Sequence, residues 1–197
     1  MVRAIDCPCG HQLMAATDET LFLRAKEHVG SCSLNLKPSD EELRGMIQQK
    51  AYGVGDQNRT LVRRYYEELW NEGKLELIDE LFSSDYVNHD PMHPEVPPGP
   101  AGARQIVELY RSAFPDSKFR IEDLISEDDR VVTRWSVTGT HTGVLFGLAP
   151  SNKRMTVTGI TLSRIANDKV AETWANWDNL GLMQQVGAVP ALAQSGK

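Results

Sequence analysis

The fold of this chain is decided by the segment RVVTRWSVTGTH, Arg130 to His141, in which apolar and polar residues alternate. A period of two predicts a strand with one buried face. Three neighbouring segments have the same character: KFRIEDLIS before it, and RMTVTGITLSRI and KVAETWANW after it. Short polar or Gly/Pro-containing turns separate them. The sequence therefore predicts four strands in an antiparallel arrangement.

Helical patterns precede these strands. The segment NRTLVRRYYEELWNEG has apolar residues at helical spacing and ends at Gly73. We predict a short helix for KLELIDELF, a Pro-rich loop for YVNHDPMHPEVPPGP, and a third helix for PAGARQIVELYRSAF. Helices followed by an antiparallel sheet indicate an α+β fold with the helices on one face of the sheet. A curved sheet closed in this way encloses a cavity suited to a ligand.

The N-terminal part of the chain reads as a separate small unit. It carries two short helical patterns, and Ser39 and Glu42 form a capping box in the second. The glycine-containing segment YGVGDQN, residues 52–58, is predicted to be a linker. We therefore expect a small helical module in residues 1–53 and a main domain in residues 58–190. So short a module buries too little apolar surface to be stable without a staple or a partner surface.

All three cysteines lie in this module, and an odd number so close together argues against a disulfide framework. Cys7 and Cys9 form a C-x-C pair, and His28 and Cys32 follow with the spacing of about one helical turn. Three thiols and an imidazole suit a tetrahedral structural zinc site, with His11 as a spare ligand. The alternative is that these are free thiols in a module that packs on the main domain.

Composition excludes several classes of protein. Of 197 residues, 41% are hydrophobic and 24% are charged, as in ordinary soluble proteins, and the net charge is -6. No stretch concentrates Lys and Arg, so we expect no nucleic-acid or anionic-membrane partner. The apolar runs are too short to cross a membrane, and the N-terminus lacks the apolar region of a signal peptide. These features predict a cytoplasmic protein.

The main domain resembles a known family. LVRRYYEELWNEGKLELIDELF, YVNHDP, RWSVTGTHTG, VTGITLSRI and NWDNLGLMQQVG together resemble the SnoaL-like ester or polyketide cyclases of the NTF2-like superfamily. The resemblance implies a conical α+β fold, with three helices packed on a curved antiparallel sheet around a deep apolar pocket. It also implies a homodimer formed through the outer sheet face, and catalysis without a cofactor by intramolecular aldol ring closure. The first residues resemble a small Cys/His-containing bacterial module, a resemblance that implies no activity.

The resemblance also shows where this chain departs from the family. The catalytic aspartate of the last strand corresponds to Ala175, and the accompanying pocket histidine corresponds to Thr161. Neither residue can take or give a proton in the way that a carboxylate or an imidazole does. If the chain is an enzyme, other groups must transfer the proton.

The candidate groups for proton transfer are His89, His141 and Asp178, with Asp90 and Arg134 to orient the substrate or stabilise charge. Each has a structural alternative. Asp178 sits where it can cap the last helix, and His89 and Asp90 can form a hydrogen-bonded turn. His141 can be a rim histidine, and Arg134 can point outward at a dimer face.

Aromatic residues are expected to line the pocket. Strand alternation places Thr173, Ala175 and Trp177 on one face of the last strand. His93, in the Pro-rich loop, is expected to be exposed. The aromatic residues predicted to contact substrate are Tyr66, Trp70, Trp135 and Trp177.

Three functional hypotheses follow. The first is a cofactor-independent acid/base enzyme of the cyclase type that acts on a small apolar carbonyl compound. The second is a non-catalytic binding or sensing protein with a metal- or redox-responsive N-terminal module. The third is a hydrolase or dehydratase on the same fold.

Overall fold

The computed structural model describes residues 2–190, which divide into two compact units. The first unit extends to Asn58 and includes Ser126–Asp129, and the second comprises Arg59–Ile125 and the residues from Arg130 onward. Among the described residues, none of the helices combines the length and the hydrophobicity that a bilayer crossing requires.

The first unit contains a small sheet as well as helices. Its strands are β1 (Arg3–Asp6), β2 (Gln12–Ala15) and β3 (Tyr52–Gly53), in the order β2-β1-β3 and antiparallel throughout. Its helices are α1 (Asp18–Ser31) and α2 (Asp40–Lys50). The two predicted helices are confirmed, but the three strands were not predicted, because strands of two to four residues are too short to show a period in the sequence.

The capping box at the start of α2 is confirmed: the Ser39 hydroxyl accepts from the Glu42 amide, and the Glu42 carboxylate accepts from the Ser39 amide. The predicted linker is wrong. Residues 52–53 form β3, and helix α3 (Val54–Arg64) begins directly after them. The two glycines of this segment therefore lie inside regular structure.

The second unit carries the remaining helices. A π-helical segment, Tyr65–Glu72, follows α3 and ends at Gly73, whose positive φ of 76° suits glycine. A short 3-10 turn at Leu75–Leu77 then leads into α4 (Ile78–Leu81). Later in the chain come α5 (Pro100–Ala113) and the last helix, α6 (Asn179–Val186).

The sheet of the second unit has five strands in the order β4-β8-β7-β6-β5. The four predicted strands are confirmed as β5 (Lys118–Glu127), β6 (Arg130–Thr140), β7 (Arg154–Ala166) and β8 (Lys169–Trp177). The fifth, β4 (Phe82–Asn88), lies where we predicted the end of a helix and a loop, and it pairs in parallel with β8. The α+β fold with a curved sheet is thus confirmed.

The core of this unit lies between the helices and one face of the sheet. On β6, Val131, Thr133, Trp135 and Val137 alternate inward, while the intervening residues are less buried. The inward residues of β7 follow the same period. Because α5 presents an apolar stripe to this face, the two layers enclose the cavity that holds the candidate site.

Candidate active site

The cavity of the second unit has a volume of about 110 Å³. Its wall is mostly apolar and rich in aromatic rings. In such a cavity the few polar groups determine how a ligand is oriented. The four aromatic residues predicted to contact a substrate all lie in this wall. The aromatic lining includes Tyr66, Trp70, Tyr86, Tyr110, Trp135 and Trp177.

The inner face of β8 agrees with the predicted alternation. Thr173, Ala175 and Trp177 all line the cavity. On the neighbouring strand, Thr161 lies directly opposite Ala175 in the register and also lines the cavity. The Thr161 hydroxyl accepts a hydrogen bond of 3.0 Å from Trp135 Nε1. Thr161 and Ala175, which we predicted to correspond to the family's histidine and acid, thus face the cavity side by side, and both side chains are neutral.

Strand β4 brings a second set of polar groups to this wall. Asn88 is the register partner of Thr173, and the Tyr86 hydroxyl lies 2.6 Å from Thr173 Oγ1. Residues two apart on a strand point to the same side, so Asn88 and then Asp90 follow Tyr86 into the cavity lining. Sequence reasoning missed Asn88, although this i, i+2 spacing in YVNHDP was available to find it.

Asp90 is the only carboxylate among the described residues that line the cavity. Its Oδ2 accepts from Trp177 Nε1 at 2.9 Å, and its Oδ1 accepts from the Met92 amide at 2.9 Å. Two donors from different parts of the chain therefore hold the carboxylate in one orientation. A carboxylate so placed can accept a proton from a bound molecule.

Asn88 offers the complementary group. Its Oδ1 accepts from Thr173 Oγ1 at 3.3 Å and from the Tyr86 hydroxyl at 3.4 Å. Among the described residues, its buried Nδ2 has no hydrogen-bond partner. An unpaired buried donor in a cavity wall costs free energy unless a ligand accepts from it.

The tyrosines around Asp90 remain neutral. Burial raises the pKa of Tyr65 to about 12, and the nearby negative charge of Asp90 contributes to the rise. Burial and then Asp90 raise the pKa of Tyr110, whereas the pKa of Tyr86 is raised by burial, then by Tyr65 and then by Asp90. These phenols therefore act near neutral pH as hydrogen-bond donors rather than as bases.

His93 is buried, so the prediction of an exposed loop residue was wrong. Its Nε2 lies 3.0 Å from the Tyr110 hydroxyl, and the two rings meet edge to face. Burial lowers the pKa of His93, and the charge of Asp90 opposes that shift only in part. The neutral imidazole of His93 thus contacts Tyr110, which lines the cavity.

His89 and Arg134 lie outside the cavity lining. His89 is exposed, stacks on Trp174, and bonds to Glu172 through its Nε2 at 3.0 Å. Hydrogen bonds from His89 and then Arg164 lower the pKa of Glu172. Arg134 points outward, and its Nε lies 2.6 Å from Asp123 Oδ2. Of the adjacent pair His89 and Asp90, only Asp90 reaches the cavity.

His141 and Asp178 also lie outside the lining. His141 is buried behind Phe114, and its Nδ1 accepts from the Ser151 amide at 3.2 Å. Asp178 caps helix α6, where its Oδ1 accepts from the Gly181 amide at 2.8 Å. Asp178 is therefore a helix cap, as its structural alternative predicted. The predicted proton-transfer residues do not converge on one point.

The sequence that forms most of the second unit matches a known family. The family model of the SnoaL-like polyketide cyclases matches residues 60–186. The chain belongs to this family. Among SnoaL-like relatives, the nogalonic acid methyl ester cyclase of Streptomyces nogalater is 28% identical over 120 residues, which cover 60% of this chain and 89% of that protein.

Solved structures show the same SnoaL-like fold. TsrD from Streptomyces laurentii is 28% identical, with a TM-score of 0.62, over 68% of this chain and 97% of that one. A protein described as a SnoaL-like polyketide cyclase from Jannaschia sp. is 25% identical, with a TM-score of 0.65, over 71% of this chain and 97% of that one. The similarity thus extends over nearly all of each relative.

Residues 2–58 of the first unit precede the SnoaL-like match and hold a second group of reactive side chains. The structure brings together the four predicted metal ligands, whose ligand atoms all lie within 4.8 Å of one another. These residues are Cys7, Cys9, His28 and Cys32.

Proposed function

We propose that this chain is a cofactor-independent cyclase that closes a ring in a small, largely apolar carbonyl compound, with Asp90 as its acid/base residue. The observation that carries the proposal is that Asp90 is the single carboxylate among the described residues that line the mostly apolar cavity of a SnoaL-like domain. Family membership supports cyclisation, and the neutral Ala175 and Thr161 require that another group transfer the proton. Asp90 thereby replaces His89, His141 and Asp178 in our assignment.

The proposed reaction is an intramolecular aldol addition. The Asp90 carboxylate removes a proton from the carbon next to one carbonyl group, and the Asn88 Nδ2 group donates a hydrogen bond to the enolate oxygen. The enolate carbon then forms a bond to the second carbonyl carbon. The resulting alkoxide takes the proton back from Asp90, so the residue ends the cycle ionised.

The cavity indicates the class of substrate. Among the described residues of the lining there is no Lys, Arg or His, and Asp90 repels a second negative charge. A neutral ester or ketone is therefore a better ligand than a free carboxylic acid. The aromatic walls favour a flat, conjugated compound, and the volume of about 110 Å³ favours a small one.

The test compares Asp90→Asn with Asp178→Asn. The substrate is a short-chain diketone that closes to a β-hydroxycyclohexanone, and NMR also follows the exchange of its α-protons in deuterated water. Asp90→Asn should reduce both rates by about 100-fold or more, because an amide cannot accept the proton. Asp178→Asn replaces one aspartate by another helix-capping residue and should change both rates only slightly.

Equal rates for the two variants would refute the assignment of Asp90. If the wild-type protein binds the diketone but catalyses neither reaction, the binding or sensing hypothesis gains support instead. Hydrolysis of a neutral ester without ring formation would favour the third hypothesis.

We also propose that the protein is a homodimer that associates through the outer face of its larger sheet. Ile160 on β7 is half exposed on that face, and Val132 on β6 is also exposed. Burial of such side chains against a second copy would release ordered water around them.

A further inference from the structure

We propose that Cys7, Cys9, His28 and Cys32 bind one zinc ion in a closed tetrahedral site that stabilises the first unit. The proposal is independent of the cyclase function. It rests on the distances among four ligand atoms and on the small core of this unit.

Two of the distances among these ligand atoms are close to those of a zinc site, and all of them are within 4.8 Å. Cys7 Sγ lies 3.8 Å from Cys32 Sγ, and Cys9 Sγ lies 3.3 Å from His28 Nε2. With Zn–S bonds of about 2.3 Å and Zn–N bonds of about 2.0–2.1 Å, tetrahedral ligands are separated by about 3.8 Å for two sulfurs and about 3.5 Å for sulfur and nitrogen. Both observed separations therefore lie within a few tenths of an ångström of a bound geometry.

Two structural elements supply the ligands in pairs. Cys7 and Cys9 lie on the turn between β1 and β2, where the Gly10 amide donates to the Cys7 carbonyl at 2.8 Å and Gly10 adopts a φ of 88°. His28 lies in the last turn of α1, and Cys32 is the residue that ends this helix. A shared ion would therefore join the strand hairpin to the end of the helix.

The first unit has a small hydrophobic core. Among the described residues, its hydrophobic cluster has seven buried members, with Leu13, Met46 and Ala51 partly buried against them. The seven are Ile5, Ala15, Leu21, Phe22, Ala25, Leu43 and Ile47. A core of this size supplies only a small free energy of folding, and structural zinc contributes binding free energy directly to folding. All four donors are protein atoms, as in structural sites, whereas catalytic zinc sites leave a position to water.

His11 offers a matched control. It lies on the same side of the unit as His28, and the two ring centroids are 5.1 Å apart. Its ring is not one of the four groups whose ligand atoms converge. Replacement of His11 therefore removes a neighbouring imidazole and leaves the proposed coordination intact.

The experiment measures metal in the full-length protein purified without a chelator. The wild-type protein and His11→Ala should each contain about one zinc ion per chain, and His28→Ala and Cys9→Ser should lose most of it. Cobalt(II) added to the metal-free wild-type protein should give the intense visible bands of a tetrahedral thiolate complex.

A thiol titration on the wild-type protein tests the site without relying on the variants to fold. All three cysteines of the chain belong to the proposed ligand set. They should react slowly in the zinc-loaded protein and rapidly once a chelator has removed the ion. Zinc below about 0.2 per chain, with three reactive thiols or a Cys7–Cys32 disulfide, would refute the proposal.

Discussion

Asp90 keeps its orientation through hydrogen bonds from Trp177 and from the Met92 amide. The first donor belongs to the last strand and the second to the loop that follows Asp90. A side chain held from both directions loses little freedom when a substrate binds, which favours a defined path for the proton. The neighbouring His89 does not reach the cavity, because adjacent residues on an extended segment point to opposite sides.

His93 should make the stability of the second unit depend on pH. Burial lowers the pKa of His93 in the folded state, so below about pH 6.5 the unfolded state binds the proton more readily. The free energy of unfolding should therefore fall as the pH drops from 7 towards 5, and this component should be missing in His93→Gln. Urea unfolding followed by tryptophan fluorescence measures the free energy of unfolding of the second unit at each pH, since all four tryptophans lie in that unit.

The control for this prediction is His89→Gln, which removes an exposed histidine. In this variant the free energy of unfolding should still fall between pH 7 and pH 5 by the amount that His93 contributes. An identical pH dependence in the wild-type protein and His93→Gln would contradict the prediction.

Individual residues differ in how far the sequence reveals their roles. Spacing alone indicated the cluster of Cys7, Cys9, His28 and Cys32, since each pair is local and the residue types are rare. The polar lining of the cavity was harder to predict. Asp90 and His93 lie in a Pro-rich segment without periodicity, and their burial depends on contacts with distant elements.

At the scale of elements, a strand could be predicted from the sequence where more buried and more exposed residues alternate along it. Strands β6 and β7 were predictable because buried and more exposed residues alternate along them, and β5 alternates between exposed and partly buried residues over most of its length. Strand β4 was not, because only Phe82 and Tyr86 are buried along it and its pairing with β8 is irregular. Parallel pairing with a distant strand leaves no turn signal in the sequence.

Helix α5 should respond unusually to a Gly→Ala change. A Cβ at Gly102 would overlap the Pro97 carbonyl oxygen and lie 2.6 Å from Val96 Cγ1. We expect Gly102→Ala to lower the free energy of unfolding by about 1–3 kcal/mol through overpacking, although alanine is the better helix former. Thermal unfolding followed by circular dichroism measures the change.

The matched variant is Gly45→Ala in α2, where a Cβ would meet no atom within 4 Å. This change should stabilise its unit by about 0.5–1 kcal/mol. Two changes of the same sign would show that helix propensity, and not the contact with Pro97, determines the result.

At the scale of the molecule, the proposed homodimer is testable through Ile160. Ile160→Asp should convert a dimer into a monomer in sedimentation experiments, because an ionised carboxylate is costly to bury against an apolar surface. Leu180→Asp, a similar change at an exposed position on α6, should leave the dimer intact. A wild-type protein that sediments as a monomer at high concentration would contradict the proposal.

The parallel pairing of β4 with β8 also bears on how the protein is synthesised. Asp90 and its tryptophan donor are 87 positions apart in the chain, so the contact between them requires closure of a long loop. A ribosome that has translated the segment around Asp90 must still add β5 to β8 before that contact can form. The nascent chain therefore carries its carboxylate exposed to water, without the aromatic walls, until β8 has been translated.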